Sequence, residues 1–108
     1  MKVDIRKTIR ARDIADTPVK SPEMEELGEI EDIAINLDTG KIAYAALRFE
    51  GWFQRKLIAI PWSEFNETLD GNDRYFILNA TRKILRSAPG FHRDAWPAKA
   101  FRDWEEKA

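Results

Sequence analysis

Residues 36–47 read NLDTGKIAYAAL, and two readings of this stretch lead to two different proteins. The triplet Asp38-Thr39-Gly40 is the one an aspartic protease carries at its active site, yet the same residues between two apolar runs also spell a hairpin turn. In such a protease the Asp lies in a loop, the Gly allows a tight approach, and a small residue follows so that two loops can meet and share a proton. Here Lys41 follows, and a cation beside the carboxylate pair would disturb the shared proton. Those enzymes also support the catalytic loop with a later apolar pair ending in Gly. The later glycines Gly51, Gly71 and Gly90 follow Glu50, Asp70 and Pro89, so none fits. The turn reading has its own mechanism: Asp38 can bond local amides and Gly40 can take a positive φ, with strand on both sides. An aspartic-protease-like hydrolase is therefore the weakest of the readings considered.

Outward from the turn, KIAYAALRF from Lys41, KLIAIPW at 56–62 and RYFIL at 74–78 are apolar at nearly every position. Such strands have neither face fully in water. Joined by LDTGK, FEGWFQRK and LDGNDR, they predict a small antiparallel β-barrel or sandwich whose outside needs a cover. Upstream, Ile33, Ile35 and Leu37 share one face while Ile30 is out of phase, which predicts a bulge near Glu31 and Asp32. ADTPVKSPEMEELG reads as a connection with a short extended piece around Val19. In DIRKTIRARDI, Ile5, Lys7, Ile9 and Ala11 alternate with Arg6, Thr8, Arg10 and Arg12, as in an edge strand. Downstream, Thr81 is placed to cap a short helix carrying Ile84, Leu85 and Ala88, ended by Pro89-Gly90, and a second helix is predicted from Pro97 with Ala100, Phe101 and Trp104. The fold class is thus mainly β, a small antiparallel barrel with short C-terminal helices, in one domain over residues 1–108.

Composition narrows the function classes. With 108 residues the chain supports one modest core, and 44% hydrophobic with 34% charged residues is globular composition. A net charge of -1 lacks the basic excess of a protein that neutralises nucleic-acid phosphates. The absence of cysteine rules out disulfides and thiolate metal sites. The charged start MKVDIRKTIRARD shows no signal-peptide core and no stretch is long enough to span a bilayer, so a cytoplasmic location is expected. His92 has no elbow motif around any of the serines Ser21, Ser63 or Ser87 and is expected at a turn. The acidic run Glu23, Glu25, Glu26, Glu29, Glu31 and Asp32 lacks cation-wrapping spacing and reads as a solvated flank, while Asp70-Gly71-Asn72-Asp73 reads as a hairpin. No catalytic residue, cofactor or metal site is predicted.

The segments LGEIEDIAINLDTGKIAYAALRFEG, KLIAIPWSEF and RYFILNATRKILRSAPGFHRDAWP, in that order, resemble the PRC-barrel domain, found in the photosynthetic reaction centre H subunit and in a bacterial ribosome maturation factor. The resemblance covers nearly the whole chain: a Gly before the IED strand, a Thr-Gly hairpin, an apolar strand running into Pro61-Trp62, and APGF ahead of DAWP. It implies a small β-barrel used for binding and assembly and brings no catalytic residues. The H subunit's membrane helix and the ribosome factor's separate N-terminal domain are not expected here, and the chain is read as most similar to stand-alone members.

Two surface features are candidates for binding. Arg6, Arg10 and Arg12 with Arg82, Lys83 and Arg86 could form a basic patch, with a solvated face balanced by the acidic run as the preferred reading. Trp52 and Phe53, flanked by Arg55 and Lys56, sit at the tip of a predicted hairpin, either as a docking site or folded back as a plug at one barrel end. The expected function is a non-enzymatic protein-interaction or assembly module that docks on an unidentified protein partner. Strands apolar on both faces further suggest a homodimer. The alternative is an RNA-processing or ribosome-assembly accessory, touching nucleic acid only through a ribosomal complex. If Asp38 only holds a turn, Asp38→Ala should cost about 1 kcal/mol or less, and the purified protein should show no pepstatin-sensitive cleavage of unfolded substrates at acidic pH. Cleavage abolished by the substitution would reinstate the protease reading.

Overall fold

A computed structural model describes residues 8–51, 55–71 and 73–100 of the chain. The hairpin at the triplet is present, and Asn36 builds it. The Asn36 side-chain Oδ1 accepts from the amides of Asp38 at 2.9 Å and Thr39 at 3.2 Å. Its backbone exchanges bonds with Gly40 and Lys41 at 2.7 and 2.8 Å. Gly40 takes a φ of 75°, the conformation that closes the turn and that a side chain would resist. Asp38 is exposed. The amide-binding role expected of it belongs to the residue two positions earlier.

The turn joins β2 (Glu26–Ile35) to β3 (Ile42–Glu50). The predicted bulge is there: Ile30 pairs with Leu47 and Asp32 with Ala46, leaving Glu31 as the extra residue. The insertion lets both Ile30 and Ile33 turn toward the core. A second register shift, between Ala34 and Ile35, ends the shared face expected for Ile33, Ile35 and Leu37. Ile35 is 53% and Leu37 93% exposed.

The remaining strands are β1 (Pro18–Lys20), β4 (Arg55–Pro61), β5 (Phe65–Asp70) and β6 (Asp73–Leu78), in one six-stranded sheet of order β4-β3-β2-β1-β6-β5. The sheet is mixed where a wholly antiparallel one was expected. The short β1 lies parallel to β6, with Val19 opposite Phe76. The extended piece around Val19 and the hairpin at Asp70 and Asp73 match the sequence reading. In the described ladder β4 and β5 are the two ends of the sheet, and no pairing joins them.

The sheet nevertheless has to coil. Five interstrand steps of about 4.8 Å would set the edges of a flat sheet about 24 Å apart. β4 reaches β5 through the 3-10 turn Trp62–Glu64, and the four Cα steps from Pro61 to Phe65 span at most about 15 Å. Residues of both edge strands, Ile58, Ile60 and Phe65, accordingly share one buried cluster with Val19, Leu27, Ile30, Leu47 and Leu78. The Trp62 ring lies 5.7 Å from Phe65 and 5.4 Å from Phe76 over this join.

Among the described residues, two short helices flank the sheet. The edge strand predicted at the N-terminal end is corrected over its described part: Ala11–Ile14 is a helical turn, α1. Asp13 pairs with Arg10 at 2.6 Å, its carbonyl accepts from the Thr17 hydroxyl at 2.8 Å, and Ile14 enters the core. These local bonds favour a turn over the alternation read from Ile9 and Ala11; Ile5, Arg6 and Lys7 lie outside the described residues. At the other end α2 (Arg82–Ser87) is as predicted, with the Thr81 hydroxyl accepting from the Ile84 amide at 3.2 Å and Leu85 buried. The helix expected from Pro97 is not formed as far as Ala100; Phe101 and Trp104 lie outside the described residues.

At Gly28 two strands of the sheet approach closely. The Gly28 φ is 147°, and a Cβ there would sit 2.3 Å from the Arg48 carbonyl oxygen in the neighbouring strand. Gly28→Ala should therefore cost about 2–4 kcal/mol in denaturant unfolding. Asn36→Ala should cost about 1 kcal/mol and Asp38→Ala close to nothing. An equal loss for the two turn variants would contradict the assignment of the turn to Asn36.

Candidate interaction surface

Strands β3 and β4 are apolar on both sides, and the pairing shows how each side is covered. Ala45, Leu47 and Phe49 face inward with Ile58 and Ile60. Tyr44, Ala46, Leu57 and Ala59 alternate with them and point outward, yet Tyr44 is only 1% exposed and the other three are buried as well. The cover was expected from helices. Over Tyr44 and Leu57 it is a non-helical strap, Phe91 to Pro97, that follows α2. The Phe91 amide donates to the Leu57 carbonyl at 2.9 Å. The Trp96 ring stacks on Tyr44 with centroids 6.0 Å apart and meets Phe91 edge-on at 5.3 Å. The Tyr44 hydroxyl donates to the Pro97 carbonyl at 2.6 Å, and burial pushes that phenol's pKa up. The APGF and DAWP segments of the sequence are thus the entry to the strap and the strap itself.

Lys56 fixes where the strap begins. Its ammonium donates to the Arg86 and Ala88 carbonyls at 2.9 and 2.5 Å, holding the C-terminal end of α2, where carbonyls lack helical partners. Its aliphatic stem packs against Gly90, where a Cβ would come within 2.9 Å. Arg82, weighed in sequence as part of a basic patch with a solvated face preferred, is a clamp. It donates to the Glu26 and Glu50 carbonyls at 3.0 and 2.6 Å and lies 5.0 Å over the Phe49 ring. Arg10 is paired to Asp13, and Arg6 lies outside the described residues.

Beside the strap, a groove of about 500 Å3 opens over Arg48, Leu57, Phe91 and Arg93, with Glu50 and Arg55 on its rim. Arg48 is the electrostatic centre of this face, 2.8 Å from Asp16, 3.0 Å from Glu31 and 3.7 Å from Glu29. Glu31 also meets Arg93 of the strap at 3.4 Å. The acidic run is therefore in part the counter-charge of Arg48. Arg55, named from sequence as a binding residue, is 84% exposed with one 3.4 Å contact to Glu50. Trp52 and Phe53 lie outside the described residues. His92 is exposed in a turn closed by the Ala95 amide.

Sequence reasoning missed the exposed apolar pair at the β2–β3 hairpin, Ile35 and Leu37, beside the half-buried Ile33 and Ile42. The available signal was the position of Leu37 immediately before Asp38-Thr39-Gly40, inside the turn. Among the described residues no helix is long and apolar enough to cross a membrane.

Burial holds the Lys56 pKa below its ordinary 10.5. The folded chain then binds this proton less tightly than the unfolded chain, so the charged amine costs stability at neutral pH, and the cost fades as the pH rises from the folded pKa toward 10.5. Wild type should gain stability relative to Lys56→Met across that interval, measured by urea unfolding at matched pH values. A constant difference would contradict the desolvation of this amine.

A family model of the PRC-barrel domain matches residues 6–84. Comparison with curated proteins finds no match. The matched segment runs from the N-terminal turn through all six strands into α2, and it includes the Gly28 contact, the bulge at Glu31 and the Asn36 hairpin. This chain belongs to the PRC-barrel domain family.

Proposed function

We propose that the chain is a non-enzymatic interaction module, a cytoplasmic barrel that docks on another protein through the tip of the β2–β3 hairpin. The observation that carries the reading is the exposure of Ile35 and Leu37, at 53% and 93%, on a turn rigidified by Asn36. Exposed apolar side chains on a rigid support are suited to insertion into a pocket of a partner. Membership of the family supports a generic binding module, and the coiled six-stranded sheet is read as its barrel.

The tip is too small for self-association by itself, because a stable interface buries about 800 Å2 on each partner. A homodimer would cover strands apolar on both faces, and the strap supplies part of that cover, over Tyr44 and Leu57, within one chain. The ribosomal alternative has less in its favour. Arg10, Arg48, Arg55, Arg74 and Arg93 each face a carboxylate, which lowers the charge available to phosphates.

Ile35→Ser with Leu37→Ser should leave stability within about 0.5 kcal/mol of wild type, since neither side chain belongs to the core. Proteins captured by the wild-type chain from native extract should be lost from the variant. Capture that is unchanged would exclude the tip as the docking element, and salt-sensitive recovery of ribosomal particles by both chains would favour the alternative.

A further inference from the structure

We propose that the strap Phe91 to Pro97 is a hinged cover that lifts from the outer face of β3 and β4 while the rest of the fold stays intact. The buried core cluster draws its members from Ile14 through Ala88 and includes no strap residue, so lifting the strap removes nothing from the core. Its attachments are discrete. Among the described residues they are a backbone bond from Phe91 to Leu57, a phenol bond from Tyr44 to Pro97, the stacking of Trp96 on Tyr44 and a pairing of Arg93, 70% exposed, with Glu31 at 3.4 Å.

Between the two aromatic anchors, residues 92–95 are exposed. A segment with few buried contacts and no ladder of its own opens at lower free energy than the elements it rests on. The ion pair adds little at that exposure, so the aromatic contacts and the two hydrogen bonds hold the cover down. The hinge is placed by Lys56, which grips the Arg86 and Ala88 carbonyls and packs on Gly90. The chain up to Gly90 stays seated, and motion begins at Phe91. Lifting bares Tyr44 and Leu57, together with the Leu57 carbonyl at the edge of β4. The molecule thereby alternates between a covered and an uncovered form of one apolar face.

Hydrogen exchange on the full chain, followed by NMR at low urea concentrations, tests this. The Phe91 amide should exchange roughly tenfold or more faster than the Ala46 and Leu47 amides of β3, with little dependence on urea, as expected of an opening that exposes little surface. Trp96→Ala should speed Phe91 further and leave the β3 amides unchanged. The milder Tyr44→Phe, which removes only the bond to Pro97, should act in the same direction to a smaller extent. Exchange of Phe91 with the same free energy and urea slope as Leu47, or equal acceleration of both amides by Trp96→Ala, would overturn the proposal, since the strap would then open only when the whole fold does.

Discussion

The structure depends on one constraint: β3 and β4 carry apolar side chains on both faces, so a single interior cannot satisfy them. Ala45, Leu47, Phe49, Ile58 and Ile60 go into the core, and Tyr44, Ala46, Leu57 and Ala59 need a second cover. Water over those four residues would cost about 25 cal/mol for each Å2 of apolar surface left exposed. Over Tyr44 and Leu57 the strap answers with two aromatic rings and a phenol bond. Lys56 links the two covers, because its ammonium ends α2 on the core side while its stem guides the chain through Gly90 onto the outer side. A bulkier residue at Gly90 or a shorter side chain at Lys56 would disturb the start of the strap without touching the strands that it covers.

The same economy shapes the sheet. A three-residue strand, β1, links the β2–β3–β4 meander to the β5–β6 hairpin, and only Val19 and Lys20 pair with β6. So narrow a joint holds because its neighbours are closely fitted. Gly28 lets the Arg48 carbonyl approach where no side chain could, and the bulge at Glu31 brings Ile30 and Ile33 onto one core. Arg48 then uses the outward side of β3 to draw Asp16, Glu29 and Glu31 together. Its guanidinium pKa is raised chiefly by the hydrogen bond to Asp16. The pairings of Arg48 with the exposed Asp16 and Glu29 give orientation more than stability.

Much of this was legible in the residues because local chemistry decides it. The bulge follows from the phase of Ile30 against Ile33, α2 from Thr81 and its apolar face, the hairpins from Gly40 and Gly71. What could not be read depends on contacts distant in sequence. The polar run of β5 becomes a strand only through β6. The alternation of Ile9 and Ala11 is overridden by Asp13 bonding its own neighbours and by Ile14 reaching the core. The strap contains residues that suggest a turn and a helix start, and its actual path is set by Tyr44, 52 positions before Trp96. The candidate site was the least legible part. Trp52 and Phe53 stand out by residue type, whereas Leu37 matters because of where the second register shift puts it, and its type alone gives no sign of that.

One chain covers its own outer face where Trp96 stacks on Tyr44. An isotope-filtered NOE experiment on a mixture of labelled and unlabelled full-length chains addresses it directly. Cross-peaks between the rings of Tyr44 and Trp96 should appear within the labelled chain and be absent between chains. Cross-peaks between chains would show that a second copy supplies the cover, and no contact in either arrangement would mean that the apolar face of β3 and β4 is hidden by something else, contradicting the account.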